Sequence, residues 1–266
     1  MPLFHRTAAP PNPPPATRGS TNIPAHTLQD FHPAESLWAI ELAAGQQDFA
    51  SSQEQLRAQL PQNSPQTRAR YAQSIQAWFF PDGRLDVLPV LVHRAYLDRS
   101  LTTEFVRLAY LTAEPIVGGA VADMLFPLEP GTVVPHDYLD GYLRRIVGQA
   151  TRKTAKRLRQ NLRKLGFLSP GRGRMVLQVV PASGTAVFLA FAFMFAPEGA
   201  RSMELKTITD HPFWKHLGLK TEDGLRGVFR EANGKGLLGK YVVADRIEQV
   251  TTRMSFQECL EKRVRL

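Results

Sequence analysis

Cysteine is almost absent from this sequence: Cys259 is the single example in 266 residues. One thiol cannot build a disulfide framework or a cysteine-based zinc site, and such scarcity is typical of a protein of the reducing cytoplasm. Histidines and carboxylates do not cluster at ligand spacing either, since His211 and His216 are five residues apart and fall on different faces of a helix. We therefore predict a cytoplasmic protein that is not an enzyme, with no metal, no cofactor, no small-molecule substrate and no catalytic residue, and place Cys259 on a helix surface.

Long apolar runs are also scarce. The strongest one, 186–196, has eleven residues, whereas a helix that spans a bilayer needs about 20. We predict a helix packed on all sides within the protein, and no membrane partner. Residues 1–21 contain six prolines and no continuous apolar region, so no signal peptide is predicted.

Acidic residues are missing from one stretch, 144–174, which contains eleven Lys and Arg and no Asp or Glu. The whole chain has 33 Lys+Arg against 24 Asp+Glu, a formal charge of +9. Without the eleven, 22 basic residues face 24 acidic ones, and the remainder is close to neutral. A local cationic surface of this kind indicates a polyanionic partner.

Within this stretch, residues 151–165 have the period of one amphipathic helix. Its apolar stripe is narrow and repeats at helical spacing: Ala155, Leu158, Leu162 and Leu165. Thr151 is a candidate N-cap, and Gly166 stands where a left-handed residue ends a helix. The cations outside the stripe are predicted to contact DNA phosphates, together with those of the following loop: Arg152, Lys153, Lys156, Arg157, Arg159, Arg163, Lys164, Arg172 and Arg174.

The flanking elements complete a known order. A second amphipathic helix, 136–147, precedes the basic helix across a short turn, and two short strands follow around the basic tip 169–174. Helix, turn, basic helix and basic-tipped hairpin is the order of a winged helix-turn-helix, in which the second helix enters the major groove. The alternative is a solvated helix face with a basic loop. Surface helices of that kind usually interleave Glu with Lys or Arg, however, and this one has no acid.

The rest of the chain predicts a mainly α fold, a helical bundle with the winged helix-turn-helix-like unit and small β-hairpins. Four parts are expected: a Pro-rich arm, 1–24; an N-terminal helical domain, 25–134; the winged unit, 135–182; and a C-terminal helical region with a small strand pair, 183–266. No internal repeat at a fixed period is found. The individual predictions are helices at 33–44, 46–60, 66–80, 85–97, from Ser100, at 115–126, 211–217, 221–232 and 255–263, a loop at 128–134 and one strand at 241–251.

Three passages resemble the BrxA family of BREX phage-defence systems. They are Val90–Ser100 leading into Thr103–Phe105, the basic helix Ala150–Leu165 with Gly166–Leu168, and the helix-to-strand unit around Gly236–Leu238 and Tyr241. The resemblance covers about residues 30–262 and is a pattern of helices, without a catalytic signature. It implies a small, non-enzymatic, partly NusB-like helical protein that binds double-stranded DNA alongside other BREX proteins.

Our leading hypothesis is therefore a double-stranded DNA-binding accessory protein of phage defence. A winged-helix transcription regulator is a second hypothesis, although the sequence has no coiled-coil heptads to drive a dimer, which favours a monomer. An RNA-binding or protein-scaffold module is a third.

Overall fold

A computed structural model describes residues 28–148, 151–171, 174–244 and 247–266 of the chain. The predicted arm 1–24 and the contact residue Arg172 lie outside these ranges. The described chain is mainly helical, as predicted, with two small antiparallel sheets.

Five helices form the first part of the fold, close to where the sequence predicts them: α1 (Pro33–Ala44), α2 (Phe49–Gln59), α3 (Pro65–Phe79), α4 (Leu88–Tyr96) and α5 (Arg99–Ala113). The prediction that Ser100 begins α5 was wrong by one residue. Asp98 is the N-cap, and its carboxylate accepts a hydrogen bond from the Leu101 amide at 3.1 Å. A carboxylate there satisfies an amide of the first turn that has no partner within the helix.

The second part runs in the order helix, strand, helix, helix, hairpin: α6 (Pro115–Gly119) continuing into a π-helical turn (Ala120–Leu125), β1 (Val133–Val134), α7 (His136–Val147), α8 (Arg152–Lys164), β2 (Leu168–Gly171) and β3 (Arg174–Leu177). The predicted loop 128–134 is wrong at its end, because β1 pairs antiparallel with β3, with Val133 opposite Val176. The sheet order is β1–β3–β2.

The third part begins with a buried helix and ends in a second sheet: α9 (Gly184–Phe195), β4 (Ser202–Glu204), α10 (Leu205–Thr209), α11 (Phe213–Leu217), α12 (Glu222–Gly234), β5 (Leu238–Ala244), β6 (Ile247–Thr252) and α13 (Phe256–Glu261). The single strand predicted at 241–251 is two strands, paired antiparallel as a hairpin. The sheet order is β4–β6–β5.

Two hydrophobic clusters hold these elements together. One joins the helices α1 to α3 to the α6–β3 region, and the other joins α4 to the elements from α9 to α13. Helix α5 contributes to both, with Tyr110 in the first and Phe105 in the second. The domain boundaries given by the sequence remain predictions.

Helix α9 is buried from Thr185 to Ala192, as its apolar run predicts. Among the described residues no single helix is long and apolar enough to cross a membrane; a pair bent by 104°, Arg99–Ala113 with Pro115–Leu125, reaches that threshold by length and composition alone. The prediction that Cys259 lies on a helix surface was wrong, because this residue is only 1% exposed. Burial raises the pKa of this thiol to about 11.

Candidate nucleic-acid interface

The basic helix α8 begins and ends on signals in its own sequence. The Thr151 hydroxyl accepts a hydrogen bond from the Thr154 amide at 3.1 Å, which fixes the first turn. Gly166 adopts φ +87°, and the Phe167 amide donates to the Leu162 carbonyl at 3.0 Å, closing the last turn. Both end signals predicted from the sequence are confirmed.

One face of α8 packs into the first of the two hydrophobic clusters. Ala155, Leu158 and Leu162 are at most 3% exposed, and Leu165 is 6% exposed. This apolar stripe fixes the rotation of the helix about its own axis, because any other orientation would expose the three aliphatic side chains to water. The cations on the remaining surface therefore have defined directions.

A buried polar residue, Asn161, was missed by the sequence argument. Its side chain is 0% exposed and bonds to three groups. The amide nitrogen donates to the Gln29 carbonyl and to the Tyr110 hydroxyl, both at 2.8 Å, and the oxygen accepts from the Phe31 amide at 2.9 Å. Nothing local signals these bonds, since their partners lie 51 to 132 residues away along the chain.

Two of the predicted contact residues, Arg157 and Lys164, bind the same segment 28–31 as Asn161 does. The Arg157 guanidinium donates to the Leu28 carbonyl at 2.8 Å and lies 3.8 Å from the Asp30 carboxylate. The Lys164 ammonium donates to the Phe31 carbonyl at 2.7 Å. Both cations thus hold segment 28–31, which lies outside any helix or strand, against α8, and their charges are partly engaged within the fold.

A third predicted contact, Arg159, joins α8 to α7. Its guanidinium lies 2.7 Å from the Asp140 carboxylate, and its side chain is only 14% exposed. This pair ties α7 and α8 together. At about 100° per residue Arg159 lies next to Ala155, at the border of the apolar stripe, which explains why it meets a neighbouring helix rather than solvent.

Four predicted contacts remain free on α8: Arg152, Lys153, Lys156 and Arg163. All four are exposed, and none of their side chains makes a hydrogen bond or ion pair within the described ranges. At about 100° per residue they share an arc of roughly 100°. Arg159 borders one side of this arc, and Arg157 and Lys164 border the other. We call these four residues the free arc.

The hairpin after α8 carries one more cation of this type. Arg174 is exposed at the start of β3, opposite Gly171 of β2, and its side chain has no partner among the residues described. It stands at the tip of the hairpin that follows the free arc in the chain. Five described cations are thus available to an external anion: the four of the free arc and Arg174.

The other titratable groups singled out above do not form a site in the described ranges, where no group of three or more His, Cys, Asp or Glu residues could hold a metal ion. His216 is buried, with one ring nitrogen 3.2 Å from the Gly118 carbonyl and the other without a partner. Desolvation by burial lowers the pKa of His216 to about 4, so this histidine is neutral at neutral pH.

Comparison with known proteins gives no relative: no family model, no curated protein and no solved structure matches the chain.

Proposed function

We propose that this chain is a non-enzymatic, double-stranded DNA-binding protein that presents helix α8 to the duplex. The observation that carries the proposal is the free arc, in which four exposed cations lie side by side without a carboxylate partner among the described residues. An arc of unpaired cations matches the regular negative charge of a nucleic-acid backbone.

The connectivity around α8 supports a winged helix-turn-helix. A helix, a short strand, two helices and a hairpin follow one another, and the first strand pairs with the third rather than with the second. In such units the second helix of the pair lies in the major groove and the hairpin tip contacts the backbone. In this proposal helix α8 lies in the major groove and Arg174 contacts the backbone.

Phosphate contacts dominate in this proposal, and sequence preference is modest. The free arc consists of Arg and Lys, while the one amide side chain between them is Gln160. A bidentate contact to adenine needs Asn or Gln, so the preference that remains is the one for guanine that Arg152 and Arg163 can provide. With five available cations, log K should fall against log salt with a slope of about −4.5.

The biological setting we propose is that of an accessory protein in a BREX-type defence system, in the cytoplasm and together with other BREX proteins. The resemblance of three passages of the sequence to the BrxA family supports this setting. Loss of the gene should then reduce protection against phage in a host that carries the system, and the arc variant described below should reproduce that loss.

The direct test is fluorescence anisotropy of the purified chain with a 5′-labelled duplex, with single-stranded DNA and with structured RNA as competitors. We expect the duplex to compete most strongly. Stronger competition by RNA would contradict the proposal, as would affinity that does not change with salt. A footprint confined to one discrete operator would instead favour a transcription regulator.

A further inference from the structure

The same succession of elements occurs twice in this chain. Residues 115–177 run helix, short strand, helix, helix, hairpin, and residues 184–252 repeat that order, with the first of the paired helices divided into α10 and α11. Both sheets place the first strand against the third: β1–β3–β2 and β4–β6–β5. Two units that share both the order of elements and the order of strands point to one architecture used twice.

The landmarks of the two units are separated by a constant interval of 70 residues in the printed sequence. Four landmarks obey this interval. They are the left-handed glycine after the first helix (Gly148 and Gly218), the threonine N-cap of the second helix (Thr151 and Thr221), the left-handed glycine after that helix (Gly166 and Gly236) and the first residue of the hairpin (Leu168 and Leu238). Helices α8 and α12 therefore begin, end and continue into a strand at equivalent positions.

Hydrogen bonds and burial follow the same register. The threonine caps accept from Thr154 and Gly224. At the other end of the helices, Phe167 donates to Leu162 at 3.0 Å and Leu237 donates to Ala232 at 2.9 Å. The buried stripe also coincides: Ala155 with Leu225, Leu158 with Val228, and Leu162 with Ala232.

We infer that the chain contains two copies of one winged unit, and that only the first copy binds the duplex because the second has lost the free arc. The duplication was not predicted from the sequence, in which no repeat at a fixed period was found. The part of the inference that concerns DNA rests on the function proposed above, whereas the duplication rests on topology and register alone.

The charges at the four equivalent positions differ in sign. Arg152 and Lys153 correspond to Glu222 and Asp223, Lys156 corresponds to Arg226, and Arg163 corresponds to Asn233. The formal charge over the four positions is +4 in α8 and −1 in α12, and Arg230, at the position of Gln160, brings the equivalent arc of α12 to zero. A neutral arc of mixed charges does not attract a phosphate backbone as the free arc does.

The cation kept at the four equivalent positions, Arg226, is engaged within the unit. Arg226 lies 3.0 Å from Glu248, 3.0 Å from Asp223 and 3.4 Å from Glu222, and its side chain is 28% exposed. A guanidinium shared among three carboxylates presents no free charge to an external anion. Its equivalent in α8, Lys156, has no such partner in the described chain.

Charge transplantation in the full chain tests the inference. The background variant carries Arg152→Ala, Lys153→Ala, Lys156→Ala and Arg163→Ala, and by the proposed function it binds a duplex poorly. Into this background we would place Glu222→Arg, Asp223→Lys and Asn233→Arg, which also free Arg226 from two of its three partners. We expect duplex binding to return, with log K falling against log salt with a slope steeper by about 3 than that of the background.

The matched control adds the same charges elsewhere in the same background: Glu54→Arg, Asp82→Lys and Asn63→Arg, all exposed and remote from both helices in the chain. We expect no recovery from it. Equal recovery in the control would overturn the inference, since charge alone would then suffice. No recovery in a transplant that still unfolds in one cooperative thermal transition would overturn it as well.

One further variant separates the two proposals. Arg226→Ala in the otherwise unchanged chain should leave duplex affinity within about twofold, and a loss above tenfold would show that α12 itself contacts DNA. Failure of the unchanged chain to bind any duplex would contradict the proposed function. Restoration or its absence in the transplant, by contrast, reports on the equivalence of the two units.

Discussion

Removing the free arc should change the salt dependence of duplex binding much more than the fold. The perturbation is the fourfold alanine variant of Arg152, Lys153, Lys156 and Arg163, whose side chains are exposed and have no partner within the described residues. With Arg174 they give about five phosphate contacts, so a slope of about −4.5 should fall to about −0.9 in the variant.

These slopes have a large consequence over an ordinary salt range. Between 50 and 200 mM salt, the unchanged chain should lose about 500-fold in affinity, and the variant about threefold. Anisotropy titrations with a duplex of about 20 base pairs at four salt concentrations measure both slopes. The thermal transition of the variant should not be lower than that of the unchanged chain, because no internal contact is removed.

Two controls make the result specific. A fourfold variant at exposed cations outside α8, namely Arg57, Arg201, Lys206 and Lys262 to alanine, should keep the steep slope. The single variant Arg159→Ala, which breaks the contact with Asp140, should lower the free energy of unfolding. It should change the slope of log K against log salt by no more than about 0.9, the value of one phosphate contact. A steep slope that survives loss of the free arc would refute the assignment of α8 as the duplex contact.

Three further predictions concern the frame around this surface. Asn161→Ala should lower the free energy of unfolding by about 3 kcal/mol in urea titrations, because three buried hydrogen bonds are lost and the Phe31 amide is left without a partner. A loss below about 1 kcal/mol would contradict the role of Asn161 in holding segment 28–31 against α8. Burial lowers the pKa of His216 from 6.5 to about 4. The free energy of unfolding should therefore be highest above pH 6.5 and should fall by about 3 kcal/mol as the pH falls towards 4, because the unfolded chain takes up the proton first. His216→Gln should flatten this pH dependence, and the exposed His136→Gln should not. Gly166→Ala and Gly236→Ala should each cost about 1 kcal/mol, since both glycines have positive φ and an added Cβ would make only an ordinary van der Waals contact, at 3.9 Å and 3.8 Å. Clearly unequal costs in thermal unfolding would count against equivalent helix ends.

The elements that the sequence predicted well are those whose signals are local. Helices α1 and α7 match their predicted bounds, 33–44 and 136–147, at both ends. The N-cap and the terminal glycine of α8 lie within the helix or next to it, so the chain alone specifies them. The direction of the free arc could be predicted for the same reason, because it is opposite the buried stripe.

Features that depend on distant partners could not be predicted in this way. Strand β1 has two residues and exists only through its pairing with β3, about 40 residues later. In the sequence, Asn161 is one polar residue among several in a basic helix. Its buried hydrogen bonds depend on segment 28–31, whose position beside α8 the sequence does not show. The engagement of Arg157, Arg159 and Lys164 likewise comes from chain segments that no helical period can locate.

The duplication escaped the sequence argument for a related reason. Between residues 133–169 and 203–239 only five positions are identical at the interval of 70: Asp140 and Asp210, Gly148 and Gly218, Thr151 and Thr221, Gly166 and Gly236, Leu168 and Leu238. Three of these pairs are helix caps or glycines with positive φ, which backbone geometry requires. The solvent-facing positions have diverged in charge, and the buried ones in volume, so little similarity remains to be read.

The difference in charge between α8 and α12 leads to a last prediction, about the stability of the protein without DNA. The positive end of the helix dipole lies at the N-terminus, where carboxylates are favourable and cations are not. Helix α12 has Glu222 and Asp223 in its first turn, whereas α8 has Arg152 and Lys153 there and no acid. The double variant Arg152→Glu and Lys153→Asp should therefore stabilise the free protein, by about 1 kcal/mol or roughly 2–4 °C in thermal transition, while it weakens duplex binding more than tenfold. An unchanged or lower transition temperature would contradict this reasoning, and the conservative pair Arg152→Lys and Lys153→Arg should change neither property. A gain in stability with a loss of binding would mean that α8 keeps an electrostatically unfavourable arrangement, which a bound polyanion relieves.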